Sequence, residues 1–162
     1  MRFALVDDER VEPQPKLKGF CPGCCGEVIA KCGRINIWHW AHRNADCDAW
    51  YEPESEWHRD LKNWFPEEYQ EVILENHRAD IWTGDDRPII ELQNSFISAD
   101  EIQEREIFYG KYINCYPGCL IWIINGEKFE KNFFLKNKGS YSTFRWYYPR
   151  KTWGVAEGMV II

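Results

Sequence analysis

The chain has 162 residues, 44 % of them hydrophobic, with nine tryptophans, seven cysteines and a net charge of −6. That length suits one compact domain with a small appended lobe, and the apolar content excludes a disordered chain. The acidity argues against a protein that simply coats nucleic acid, and no apolar run approaches the length of a membrane span.

Met1 to Val6 is too short an apolar run for a signal peptide, and Asp7, Asp8 and Glu9 follow at once, so a soluble cytoplasmic protein is expected. Arg2 to Val6 and the residues around Val11 read as a short hairpin about the Asp7–Arg10 turn. Pro13 and Pro15 mark a loop leading into Phe20. Val28 to Lys31 and Arg34 to Trp40 read as a second hairpin, broken at Cys32-Gly33. The polar stretch from Asn44 to Pro53 is the expected junction, dividing a β lobe at residues 1–50 from a core at 51–162.

In the core, Glu54 to Phe65 reads as a helix stopped by Pro66. Trp57, Leu61, Trp64 and Phe65 recur at helical spacing and would face the interior, leaving Glu54, His58 and Lys62 on another face. Glu71 to Leu74, Arg78 to Trp82 and Pro88 to Gln93 read as strands, with a turn at Gly84-Asp85-Asp86. Ser98 with Glu101 is a capping box opening a helix over Ala99 to Tyr109. Leu120 to Ile124 reads as a strand buried on both faces, Asn125-Gly126 as a turn, and Met159 to Ile162 as a last strand. This order implies an α/β core with a mixed sheet.

Four cysteines, Cys21, Cys24, Cys25 and Cys32, fall within twelve residues, which in a reducing compartment indicates metal rather than disulfides. Cys21-Pro22-Gly23-Cys24 is a CxxC knuckle, and His39-Trp40-Ala41-His42 and Cys47 follow. Zinc needs four ligands, and the favoured set is Cys21, Cys24, His42 and Cys47. His42 is preferred because it is read as lying beyond the strand; His39 would then hydrogen-bond behind the ligands or face DNA. Four protein ligands leave no open position, so this zinc would be structural. Cys25 and Cys32 are left as packing thiols, and Cys115 and Cys119 are not assigned to the metal.

Residues 46–109 carry eighteen acids against five bases, a local charge of −13, whereas residues 128–151 carry +6. An acidic middle suits hard cations and a basic late segment suits a phosphate backbone, although two solvated faces would give the same pattern. A hairpin through Gly84–Arg87 brings Asp80 beside Glu91, and strand parity puts Gln93 on the Glu91 side. Two carboxylates and a carbonyl oxygen suit Mg2+ or Mn2+, which activates water toward a phosphodiester. Phe144-Arg145-Trp146-Tyr147-Tyr148-Pro149-Arg150-Lys151 interleaves cations with aromatics, which would grip splayed DNA or form an amphipathic edge strand.

The segments Pro53 to His58 with Lys62, Arg78-Ala79-Asp80, Ile90 to Ser95, Ser98 to Tyr109 and Leu120 to Ile124 resemble the competence protein CoiA-like family, as do the CxxC and HxxH motifs upstream. The resemblance spans residues 1–126 and implies a restriction-endonuclease-like mixed sheet flanked by helices, the PD-(D/E)XK nuclease core, behind a small zinc-binding β lobe. It implies Asp80 and Glu91 as the catalytic acids and Mg2+ ligands, with Gln93 where much of the wider superfamily has lysine. Glu56, in preference to Glu54, would add a carboxylate, and Lys62 or His58 would supply the cationic or proton-transferring group. Arg105 would contact phosphate or pair on its helix face, and Arg145, Arg150 and Lys151 would bind DNA. The expected protein is a metal-dependent DNA nuclease in uptake or recombination. A homodimer would suit cutting of both strands. The competing readings are a DNA-holding module that does not cut and a zinc-stabilised interaction adaptor.

Overall fold

The computed structural model describes residues 1–44, 47–84, 87–113, 120–147 and 150–162, excepting the side chains of residues 128–129. The turn at Asp85-Asp86, the segment Asn114 to Gly118, Cys115 and Cys119, and Tyr148-Pro149 lie outside the described residues.

The first forty-odd residues build an antiparallel sheet from β1 (Ala4–Val6), β2 (Glu9–Val11), β3 (Lys18–Phe20), β4 (Glu27–Lys31) and β5 (His39–His42), in the order β2-β1-β3-β4-β5. Asp7 and Asp8 close the first hairpin with positive φ at both positions (51° and 65°), the backbone that a two-residue turn matching the strand twist requires. β3 has no counterpart in the predicted elements: it is three residues long, and only Gly19 is buried. A side chain at Gly19 would start 2.7 Å from the Leu5 carbonyl oxygen, so the close approach of β1 and β3 depends on glycine. β5 runs from His39 to His42 rather than from Arg34 to Trp40, so both histidines lie inside the strand. Met1, Ala4, Cys21, Val28 and Trp40 form the apolar centre of this sheet.

The second sheet follows α1 (Glu56–Lys62) and comprises β6 (Gln70–Leu74), β7 (His77–Trp82), β8 (Ile89–Gln93), β9 (Leu120–Ile124) and β12 (Met159–Ile161); α2 (Ala99–Tyr109) lies between β8 and β9. Its order is β12-β9-β8-β7-β6, antiparallel from β6 to β8 and parallel from β8 through β9 to β12. The core is thus α/β with a mixed five-stranded sheet and two helices, as the sequence predicts. Burial along β9 alternates rather than being uniform, with Leu120, Trp122 and Ile124 innermost. Leu120 and Trp122 pack with Ile89, Ile97, Ile102, Phe108 and Tyr109. Ser98 caps α2 by accepting the Glu101 N–H at 3.1 Å. Glu106 on α2 accepts Trp122 Nε1–H at 3.0 Å and the Glu157 and Gly158 N–H groups at 2.9 and 3.0 Å, seating the segment that enters β12. A separate hairpin, β10 (Phe133–Asn137) with β11 (Ser142–Trp146), stands apart from both sheets.

Buried polar groups fasten the two sheets together. Glu71, at φ 48°, accepts the Arg2 N–H on both carboxylate oxygens (2.9 Å each) and the Phe3 N–H at 3.3 Å. Arg2 returns two bonds from its guanidinium, to Asn63 Oδ1 at 2.6 Å and Gln70 Oε1 at 2.9 Å. Asp48, between the sheets in sequence, accepts the Trp50 N–H at 2.9 Å and the Arg78 N–H at 3.0 Å and pairs with His77 Nδ1 at 2.9 Å. Trp50 stacks flat on the His77 ring with 3.4 Å between centroids. Among the described residues no helix is long and apolar enough to cross a membrane.

Candidate active site and metal cluster

Strand parity decides between the two histidines. Residues three apart on a strand point to opposite faces, so only one of His39 and His42 can join the knuckle. That one is His42: Cys21, Cys24, His42 and Cys47 place their ligand atoms within 4.8 Å of one another. The reason first given for preferring His42 needs correction, because it lies within β5 rather than beyond it. Cys21 Sγ stands 3.7 Å from Cys47 Sγ, and Cys24 Sγ 3.3 Å from His42 Nε2. A tetrahedral ion with sulfur ligands at about 2.3 Å separates those sulfurs by about 3.8 Å, so the donor set fits zinc in geometry as well as in chemistry. Burial pushes the Cys24 thiol up, but the Gly26 N–H and His42 outweigh it and hold it at about 7. Burial and the bond with Cys24 push Cys47 up to about 12. His39 instead turns Nδ1 to the Ile37 carbonyl at 2.8 Å.

The acidic site forms where the β7–β8 ladder opens. The strands pair through Ile81↔Ile90 and Trp82↔Ile89. One step further, side chains replace the backbone ladder: the Asp80 N–H donates to Glu91 Oε1 at 3.2 Å, and the Leu92 N–H donates to Asp80 Oδ2 at 2.9 Å. The two carboxylates therefore share one cavity of about 30 Å3, room for an ion with a water or two. Glu52, Glu54, His58, Lys62, Arg78 and Arg105 line the rest.

Three carboxylates converge on the buried Lys62 ammonium: Asp80 Oδ1 at 3.0 Å, Glu54 Oε2 at 3.1 Å and Glu71 Oε1 at 3.2 Å. Burial alone would lower the Lys62 pKa, but these acids raise it well above the ordinary lysine value and keep it charged. Asp80 responds in the opposite sense: burial pushes it up, and Lys62 and His58 hold it below the usual carboxylate range. Glu91 is pushed up to about 7 by burial and by Asp80, against the pull of Arg105. His58 bonds Ser55 Oγ at 2.7 Å through Nδ1, and its Nε2 lies 3.2 Å from both Glu52 Oε2 and the Leu92 carbonyl oxygen. Burial opposes its charged form, yet Glu52 and Asp80 raise its pKa.

The cavity has acceptors that a hard cation could use. Glu52 Oε1 and Glu54 Oε1 are buried and have no hydrogen-bond partner among the described residues, although both side chains line it. Unmatched buried acceptors call for a cation or an ordered water. Mg2+ needs only one or two carboxylates, with waters completing its shell.

Several predicted residues lie elsewhere. Glu56 is exposed on α1 and does not line the cavity, so the carboxylate contributed beside the helix is that of Glu54, just before the Ser55 cap. The inward face of α1 is likewise corrected: His58 and Lys62 are buried, while Trp64 is 79 % exposed. Gln93 is buried, but its amide turns to Ser95 at 3.5 Å, away from the cavity. Arg105 is no surface phosphate contact: it is buried, bonding Glu91 Oε2 at 2.9 Å, Glu101 Oε1 at 2.5 Å and the Trp50 carbonyl at 2.9 Å. Arg145 and Lys151 are exposed, and Arg150 lies over the Phe96 ring. Glu52, Asp48 and Glu71 escaped the sequence reading, the first two inside a stretch read as irregular junction.

Residues 9–49 match the N-terminal domain of competence protein CoiA, and residues 54–155 match its nuclease-like domain. The chain belongs to the competence protein CoiA family. Competence protein CoiA of Bacillus subtilis (strain 168) is 30 % identical over 116 residues, covering 64 % of this chain and 31 % of that protein. The chain therefore spans about a third of that relative's length. No solved structure matches it. Within the CoiA nuclease-like match lie Glu54, His58, Lys62, Asp80, Glu91 and Arg105, whereas Cys21, Cys24, His42 and Cys47 fall in the CoiA N-terminal match. Asp48 joins the two, since it lies in the first match and binds the strand that carries Asp80.

Proposed function

We propose that this chain is a divalent-metal-dependent DNA nuclease that hydrolyses phosphodiester bonds. The observation that carries the reading is the opening of the β7–β8 ladder at Asp80 and Glu91, with the Lys62 ammonium 3.0 Å from Asp80. Asp80 and Glu91, with the Leu92 carbonyl, would hold Mg2+ or Mn2+. Such an ion polarises the phosphodiester and lowers the pKa of a bound water. Lys62 supplies the fixed positive charge that Gln93 lacks, placed to meet negative charge developing on the phosphoryl oxygens. Glu54 and Glu71 hold that ammonium charged and in place, and His58, anchored by Ser55 and Glu52, is the group within the cavity suited to pass a proton. The zinc cluster stabilises the N-terminal sheet and does no chemistry.

A second reading, a fold that holds DNA without cutting, is favoured by one feature: Lys62 and Arg105 already pair with both catalytic acids. Cleavage of labelled single-stranded, duplex and branched DNA by wild type and by Asp80→Ala, with Mg2+ or Mn2+, separates the two. Metal-dependent cutting that vanishes in the variant is the expected result. A folded, zinc-loaded wild type that cuts nothing would refute the nuclease.

A further inference from the structure

The hairpin of β10 and β11 presents apolar side chains to solvent that neither sheet covers. Phe134, Leu135, Phe144 and Tyr147 are between 45 % and 70 % exposed. They border a groove of about 540 Å3 together with Lys136, Thr143 and Arg145, within the range of ligand clefts. The register pairs Phe134 with Arg145 and Lys136 with Thr143, so one face alternates rings and cations. Tyr147 continues that face, meeting Phe134 edge-on at 5.6 Å between centroids. Arg145 donates to the Tyr147 hydroxyl at 3.0 Å and lies 5.5 Å from its ring, so the cation is held against the aromatic surface. Among the described residues no carboxylate pairs with Lys136, Lys138 or Arg145, and residues 131–147 contain no acid at all.

We infer that this face binds single-stranded nucleic acid, its rings stacking on unpaired bases and its cations following the phosphates. The inference rests on the nuclease reading for the choice of DNA. Charge selects the occupant: the face carries Lys136 and Arg145 with no acid between residues 131 and 147, in a chain whose net charge is −6, so it is complementary to a polyanion. Rings select the strand state, because stacking needs bases that duplex pairing keeps inside. The groove would hold the strand while the acidic cavity acts on it.

The test is fluorescence anisotropy of a labelled twenty-nucleotide oligothymidylate and a duplex of equal length, without divalent magnesium or manganese, using the full zinc-supplemented chain. Phe134→Ala and Tyr147→Ala should each weaken single-strand binding roughly 5- to 100-fold. Arg145→Gln should flatten the log affinity against log salt slope by about 0.7. These side chains are exposed, and unchanged circular dichroism confirms the fold. Variants that bind the single strand as wild type does, or that lose duplex binding by the same factor, overturn the inference. Cleavage is scored separately in wild type and Asp80→Asn. A wild type that cuts, with hairpin variants binding normally, overturns this inference and keeps the nuclease. A wild type that does not cut, with hairpin variants binding weakly, does the reverse, and one that neither cuts nor binds overturns both.

Discussion

Replacing Glu71 by glutamine keeps the shape of the side chain and removes one charge at the seam between the sheets. The carboxylate now accepts two backbone N–H groups from the first strand region and the Lys62 ammonium at 3.2 Å, in a setting 5 % exposed. Glutamine turns one acceptor into a donor, so one backbone N–H or the ammonium must face an N–H. Hydrogen bonds to a charged group contribute about 1.5–3 kcal/mol each, and breaking a buried pair costs about 3–5 kcal/mol, which sets the expected loss at about 3–5 kcal/mol. For a chain of this size that corresponds to a fall in Tm of about 6–20 °C. The loss has a pH signature. Burial raises the Glu71 pKa, but Lys62 and Arg78 outweigh it and hold it well below the model-compound value of 4.5. The stabilisation is therefore full above the unfolded-state pKa of 4.5 and disappears as pH falls through the lower folded value. Thermal melts followed by circular dichroism should show a wide gap between the proteins at pH 7.5 that begins to narrow only below the unfolded-state value of 4.5 and keeps narrowing as the acid is made stronger. A variant within about 1 kcal/mol of wild type at pH 7.5, or a gap that persists undiminished at low pH, would refute the reasoning.

Arg105→Met should cost about 3–5 kcal/mol in chemical denaturation by stranding Glu91, while leaving the salt dependence of DNA binding unchanged. Glu56→Ala should change stability by less than about 0.5 kcal/mol and leave cleavage intact, whereas Glu54→Ala should impair cleavage; parallel rate measurements distinguish the two acids. Elemental analysis should find zinc lost from Cys24→Ser and His42→Ala and retained in His39→Ala, Cys25→Ser and Cys32→Ser; zinc that follows His39 would reverse the parity argument.

Much of the core was legible because its signals are local. α2 and β9 have the bounds that capping and an apolar run imply, and Asp80 and Glu91 meet because a hairpin requires it. The Cys/His set was legible as a composition, while choosing the histidine by parity needed the strand end, which sequence placed at Trp40, two residues early. The inward face of α1 was misread for a physical reason. A helix covering an apolar core shows an apolar stripe, but this helix covers an acidic cavity, and its buried stripe is His58 and Lys62. Of the partners that make that burial tolerable, Glu54 shares the helical spacing of His58 and Lys62, but Glu71 and Asp80 come from separate strands and have no signature near Lys62. Arg105 shows the same limit: its pairing with Glu101 on one helix face is local, but the bond to Glu91 comes from a strand fourteen residues away. In β10, Phe133, Phe134 and Leu135 are consecutive, so alternation never emerges, because neither face of the hairpin is packed away.

Asp48 ties the N-terminal Cys/His cluster to the strand that carries Asp80. It follows Cys47 directly and grips β7 at His77 and Arg78, two residues before Asp80. The Cys/His cluster is thus one peptide unit away from the side chain that holds the strand carrying Asp80. Under the proposed function, a substitution at Cys47 would disturb Asp80 without touching it, and would lower cleavage in the way that a substitution at Asp80 does.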